Sequence, residues 1–183
     1  MKKIVAAVAL LSLCTAAPAQ RGGGSANRKS PTMSSSIEFS GGGKLSISYQ
    51  AVAWAKGRAM SAILDQDNGA EARKRFNERA LSNPIGKLAV TADVEVGGVA
   101  ITAGDYDMSF TVSDDLHWHL LLANRTTDTL PLKIALDLKQ VDEHIGRLRI
   151  NMVAGEADST GGLLISFGAM HGGVHFGLPA ADK

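Results

Sequence analysis

The sequence predicts an all-β fold, an antiparallel β-sandwich of jelly-roll-like form, with a short helical insertion around residues 56–82. Three observations lead to this prediction. Apolar and polar residues alternate in short runs over most of the chain, which is typical of strands with one buried face. Glycine, asparagine or aspartate turns separate these runs about every ten residues, as in sandwiches and barrels. The later runs have no helical stretch between them, so a parallel sheet is not expected.

The first residues have the pattern of a secretory signal peptide. Two lysines precede an apolar run at residues 4–13, and Ala17-Pro18-Ala19 supplies the small residues that signal peptidase requires. The run is about ten residues long, too short for the roughly 20 residues of a membrane-spanning helix. We therefore expect residues 1–19 to be a signal peptide, a periplasmic or secreted location, and no transmembrane segment after cleavage. A retained anchor and a lipoprotein modified at Cys14 are the alternatives.

Composition restricts the classes of protein that remain. Cys14 is the only cysteine, so the cleaved chain would hold neither a disulfide nor a thiol nucleophile. The chain has 19 Lys+Arg against 18 Asp+Glu with both signs interspersed, so no nucleic-acid partner is expected. Residues 20–33 are rich in glycine and serine and predict a flexible leader. Residues 34–178 are long enough for a single β-sandwich domain with its own core.

The first two strands are predicted as a hairpin. Residues 37–39 and 44–49 alternate between apolar and polar, and three consecutive glycines at 41–43 form the turn between them. In the second run Leu45, Ile47 and Tyr49 share one face, so this face should be buried.

The helical insertion follows this hairpin. Ala59, Met60 and Ile63 recur at helical spacing, and Asn68-Gly69 separates them from a second run rich in helix formers. Asn83-Pro84 ends the insertion, because proline lacks the backbone donor and disfavours helix in its predecessor. One or two short helices are expected here.

The remaining chain returns to alternating runs separated by turns. The predicted strands lie at residues 88–96, 99–101, 106–112, 118–122, 132–138, 145–153 and 163–167. Tyr49 and Tyr106 lie on the apolar faces of their strands, so we expect core packing. The alternative is a sugar-binding groove that these two rings would form with Trp54 and Trp118.

Several segments in this order resemble the DUF2911 family of exported bacterial domains of unknown function. They are Lys56-Gly57-Arg58, ADVEVGGV at 92–99, TAGDYDMSF at 102–110 and WHLLLAN at 118–124. The resemblance covers roughly residues 30–167 and is specific over residues 91–124. It implies a β-sandwich-like domain in the cell envelope and no established reaction. Family members also carry a tryptophan–arginine and asparagine–glutamate segment before the central hairpin. Here residues 73–88 contain no tryptophan, and Asn77-Glu78 is the nearest counterpart, which puts any activity of that segment in question.

Four of the five histidines occur as two closely spaced pairs. These are His117, His119, His171 and His175. Residues two apart on a strand point to the same face, and imidazole suits zinc or copper, so these four are candidate metal ligands. Asp114 or Asp115 could support them as a neighbouring carboxylate. The alternative is that the first pair faces solvent opposite a buried Trp118 and the second lies in a loose tail.

Other candidate sites have weaker patterns. Lys56 and Arg58 flank a glycine where a strand passes into a helix, and two cations there could receive an anionic ligand; surface charge is the alternative. Aspartate pairs at 65/67, 105/107 and 114/115 fall where turns are expected, and aspartate is common in turns because it bonds the local backbone. No Gly-x-Ser-x-Gly nucleophile motif occurs.

Two classes of function follow from these patterns. The first is an exported envelope protein of unknown function, a non-enzymatic β-sandwich that binds a small ligand or another envelope protein without a cofactor. The second is a metal-dependent enzyme that uses zinc or copper held by the histidines. Convergence of the four imidazoles in the fold would favour the second class.

Overall fold

The computed structural model describes residues 30–53 and 58–179. The predicted signal peptide, most of the predicted leader, Trp54 and Lys56 lie outside these residues. Within them, ten strands and two helices are present. The strands are β1 Thr32–Glu38, β2 Lys44–Gln50, β3 Gly86–Val90, β4 Val94–Val96, β5 Val99–Ile101, β6 Gly104–Val112, β7 Trp118–Asn124, β8 Leu132–Ala135, β9 Asp137–Ala154 and β10 Thr160–Gly177. The helices are α1 Arg58–Leu64 and α2 Ala70–Ser82.

The strands form two antiparallel sheets. One has six strands in the order β1-β2-β3-β6-β7-β8, and the other has four in the order β5-β4-β10-β9. Alternate residues of β2 and β7 are buried, as period-two patterning requires. Buried residues of both sheets, among them Leu122, Ile150 and Ile165, belong to one hydrophobic core. The predicted antiparallel sandwich with a short helical insertion is therefore confirmed.

Helix α2 covers an edge that the sheet leaves open. The pairing of β3 with β6 reaches only to Met108, so the last residues of β6 have no strand beside them on that side. The Asn77 side chain takes this position: its Nδ2 donates to Val112 O at 2.8 Å and its Oδ1 accepts from Val112 N at 2.9 Å. An amide has both a donor and an acceptor, so one side chain satisfies both backbone groups of Val112. This pair fixes α2 to the sheet.

The two sheets are joined along one side of β9. Alternate backbone N–H groups on its free edge bond to acceptors contributed by β1, β2 and the residues just after β2. The bonds run from Leu148 N to Val52 O at 2.9 Å, from Ile150 N to Tyr49 Oη at 2.9 Å and from Met152 N to Ser35 Oγ at 3.2 Å. We call these three bonds the seam. They satisfy backbone donors that a sheet edge would otherwise leave unpaired.

The pairing of β9 with β10 is interrupted at its centre. Gln140 pairs with Met170 and Ile145 pairs with Gly168, so residues 141–144 of β9 lie opposite a single residue of β10. Extra residues of this kind bend a strand pair and increase its twist.

Strand β10 runs ten residues beyond its predicted end at Phe167, and it folds back so that its ends lie side by side. Leu178 N donates to Ser159 O at 2.9 Å. A Cβ at Gly173 would lie 1.9 Å from Leu163 O, so the backbones approach too closely there for any side chain. The glycines of the His171–His175 segment therefore serve strand contact, and the segment is a strand and not a loose tail.

Candidate functional site

An apolar pocket lies between the two sheets beside helix α1. The described residues that line it are Met60, Phe110, Trp118, Leu138, Leu148, Ile165, Phe167 and Met170. We call it the interlayer pocket. Its volume is about 30 Å³, and it is partly open to solvent.

The pocket coincides with the interruption between β9 and β10. Leu138 and Leu148 lie on either side of the extra residues 141–144 in β9. In β10, Phe167 lies within the shift between Ser166 and Gly168, and Met170 ends the shift that follows Gly168. In a regular strand Phe167 and Met170, three residues apart, would face opposite sides of the sheet. Here the register shift lies between them, and both line the same pocket.

Trp118 forms one wall of the pocket and connects it to α2. Its side chain is 7% exposed and packs edge-to-face against Phe76, with ring centroids 5.9 Å apart. Its buried indole Nε1 finds no acceptor among the described residues. The predicted core role of Tyr49 and Tyr106 is confirmed, since both are buried, so neither is available as a sugar-binding surface.

Arg73 on α2 is a buried cation that the sequence reasoning missed. Its side chain is 3% exposed, and its Nη1 donates to Ile63 O at 3.1 Å and to Asp65 O at 2.6 Å. Its Nε lies 3.4 Å from Asp114 Oδ1, whose side chain is 90% exposed. Cations near a helix C-terminus interact favourably with the last carbonyls. Arg73 therefore holds the C-terminal end of α1 against α2.

His117 lies in the turn between β6 and β7, one residue before β7 begins. Its Nδ1 is 3.1 Å from Asp115 Oδ2, and both side chains are exposed. A hydrogen bond from the Ser113 hydroxyl lowers the pKa of Asp115. Leu116 in the same turn has a φ of 64°, a conformation that residues with a Cβ adopt at some cost.

His119 lies on β7, and its side chain is on the opposite face of the strand from the buried Trp118 and Leu120. It is half-buried, its Nδ1 makes no hydrogen bond to a described residue, and Thr111 lies directly opposite on β6. Burial, with a smaller contribution from the charge of Lys133, lowers the pKa of His119.

The second histidine pair lies on the other sheet. His171 and His175 are on β10, where His171 pairs with Lys139 of β9. His119 and the second pair are therefore carried by different sheets, and His117 lies in the turn before β7, so the predicted placement of His117 and His119 on one strand is wrong. Within residues 30–53 and 58–179, no group of three or more His, Cys, Asp or Glu side chains is placed to hold a metal ion. The four imidazoles do not converge on one point.

The remaining candidates have local roles where they are described. Arg58 begins α1, but its side chain, like all of Lys56, lies outside the described part. Asp65 accepts from the backbone N–H groups of Asp67 and Asn68, and the bond from Asn68 is the main cause that lowers its pKa. Asp107 lies 3.6 Å from Arg125 as a surface pair. Asp65 thus bonds the local backbone, and Asp107 pairs with a neighbouring surface charge.

Comparison with known protein families, with curated proteins and with solved structures finds no match to this chain. In the described residues, neither helix is long and apolar enough to cross a membrane.

Proposed function

We propose that this chain is an exported envelope protein whose sandwich binds an apolar group, carried by a small ligand or by another envelope protein, in the interlayer pocket. One observation supports this proposal most: all eight described lining residues are apolar. When an apolar group covers apolar surface that is open to water, the free energy of the system falls.

The chemistry of the lining favours binding over catalysis. Acid–base and nucleophilic catalysis need a titratable or nucleophilic side chain at the reacting atom. The described pocket wall offers alkyl, thioether and aromatic groups. Met60 and Met170 have flexible, polarisable side chains that adapt to the shape of a bound group.

The size of the pocket indicates how much of a ligand enters it. Pockets that enclose whole drug-sized ligands run to about 300–1,000 Å³. A space of about 30 Å³ suits a short alkyl end or one apolar side chain of a partner. Such a side chain, seated in a pocket, is the usual anchor of a protein interface.

The cellular location and the family are parts of the same proposal. The signal-like pattern of residues 1–19 supports export, and the segments between 91 and 124 support a relation to the DUF2911 family. Mass spectrometry of the protein from envelope fractions tests the first, since a cleaved chain begins at or near Gln20.

Binding is testable with Trp118 as the reporter. The chain has two tryptophans, so the Trp54→Phe variant leaves Trp118 as the sole indole. Bromohexanol, a brominated alkyl alcohol that quenches indoles by contact, should quench this fluorescence in a saturable manner. Met170→Phe fills the pocket and should weaken binding about tenfold or more, which corresponds to about 1.4 kcal/mol.

Two controls make the result specific. Met33→Phe alters a methionine that is 48% exposed on β1 and should bind like the parent. Bromopropanediol carries the same heavy atom on a polar body and should quench without saturation. Equal affinity in the Met170→Phe and Met33→Phe variants would contradict the proposal.

A further inference from the structure

Helix α1 differs from the other walls of the interlayer pocket. Seven of the eight described lining residues lie on strands, and Met60 of α1 is the eighth. Hydrogen-bonded ladders hold the strands, whereas α1 spans seven residues and has no ladder to a sheet. A helix of two turns is not stable by itself and depends on its contacts.

Helix α2, by contrast, is fixed to the six-stranded sheet. The Asn77–Val112 pair and the bond from Ser109 Oγ to Ala80 O attach it to β6. Phe76 adds the edge-to-face contact with Trp118. Any displacement of α1 therefore takes place relative to α2, at the short connection of residues 65–69.

Arg73 is one of the polar links across this connection, beside the bond from Gly69 N to Asp65 O at 3.0 Å. Its guanidinium bonds to Ile63 O and Asp65 O, at the end of α1, from a position on α2. Hydrogen bonds from a charged donor are stronger than neutral ones, and a buried carbonyl that loses its donor is costly.

Gly69 makes room for this link. A Cβ at residue 69 would lie 2.5 Å from Arg73 Nη1 and 2.2 Å from Asp65 O. A Cβ would also lie 2.5 Å from Ala62 O, so any other residue at position 69 would clash with two backbone carbonyls as well as with the guanidinium. The backbone at the connection is thus shaped around the Arg73 side chain.

We propose that α1 is a lid on the interlayer pocket and that Arg73 is its latch. When the bonds from Arg73 to Ile63 O and Asp65 O break, α1 swings about residues 65–69 and withdraws Met60 from the pocket, together with Ile63, which is 5% exposed in the core. This regulation rests on the proposed binding function, because the lid controls access of the apolar group to the pocket.

Hydrogen exchange of the unliganded, full-length protein tests the lid without any ligand. In the parent, the last amides of α1 should exchange faster than those of α2 and β6. Arg73→Lys keeps the charge but loses the planar donors, and it should speed exchange in α1 about tenfold to a hundredfold with β6 unchanged. Arg75→Lys, at an exposed site on the same helix, is the matched control and should have no effect.

Gly69→Ala is a second variant that perturbs the same connection, because its Cβ would clash with Asp65 O and Ala62 O as well as with Arg73 Nη1. It should reproduce the faster exchange in α1 although Arg73 is intact. If α1 exchanges with α2 and β6 in a single event in the parent and in both variants, the lid does not exist.

Binding kinetics with bromohexanol then connect the lid to the pocket. Association and dissociation rates in Arg73→Lys should both rise about tenfold, in proportion to the population of the open lid. Faster exchange of α1 with unchanged binding rates would overturn the gating role. The absence of saturable binding in the parent would instead overturn the binding function itself, so the two failures are distinguishable.

Discussion

Strand β9 passes through two regions that differ in how closely the two sheets meet. At the seam, alternate N–H groups of residues 148–152 find acceptors on the other sheet, and the layers are joined. At residues 141–144 the same strand loses register with β10, and the interlayer pocket lies inside the bend. The comparison shows that apolar patterning alone does not close a core. Closure also needs backbone groups that meet in register.

The largest expected difference between the two regions is in the stability cost of the same substitution, methionine to alanine. Met108 is 0% exposed in the closed core, and Met170 lines the pocket. Met108→Ala should cost about 2–5 kcal/mol of the free energy of unfolding, because it removes buried atoms and leaves a cavity. Met170→Ala should cost less than half as much, since water already reaches that space. Denaturant titration measures both, and equal costs would mean that the pocket is part of the closed core.

The seam should show the next largest effect. Tyr49→Phe removes the acceptor of Ile150 N, a buried backbone donor, and should cost about 1–3 kcal/mol. Tyr106→Phe is the matched control: its hydroxyl donates to Thr102 O at 2.8 Å, a local bond in the connection between β5 and β6 that does not involve β9. It should cost about 1 kcal/mol. If Tyr49→Phe costs less than Tyr106→Phe, the seam does not stabilise the closed side.

The sequence predicts the inward faces of the strands and the two helices, but it does not predict where β10 ends. Period-two rows such as Leu45, Ile47 and Tyr49 identify inward faces, because side chains alternate on every strand. The helices were also predicted, since Asn68-Gly69 separates a run at helical spacing from a second run rich in helix formers. The end of β10 was not predicted, because glycine pairs mark a turn in most strands and a close backbone contact in this one.

The pocket itself left no pattern in the sequence. Its walls come from α1, β6, β7, β9 and β10, and the four extra residues at 141–144 fall between the predicted strands 132–138 and 145–153, which the structure joins into β9. Arg73 stands in a polar helical run where arginine usually faces solvent, so its burial had no signal. The histidine pairs were read from spacing along one strand. Spacing cannot tell which sheet carries each pair.

The smallest expected effect is a pH dependence outside both regions. The pKa of His119 is lowered in the fold, so the unfolded chain binds a proton more readily. The contribution of His119 to the free energy of unfolding is therefore fully present above its unfolded pKa of about 6.5. It is lost as the pH drops below that value. His119→Gln should flatten the decline in the unfolding free energy between about pH 7 and pH 5. His175→Gln, at an exposed site, serves as the control, and an identical decline in both variants would show that His119 does not contribute.

The most direct test of the account places a bound apolar group at the pocket. The methionines include Met60 and Met170 in the pocket, Met108 in the closed core and Met33 on β1. With ¹³C-methyl-labelled methionine, titration with bromohexanol should shift the methyl signals of Met60 and Met170. The signals of Met108 and Met33 should stay in place. Shifts at Met33 or Met108 with none at Met60 and Met170 would contradict the assignment of the interlayer pocket as the binding site.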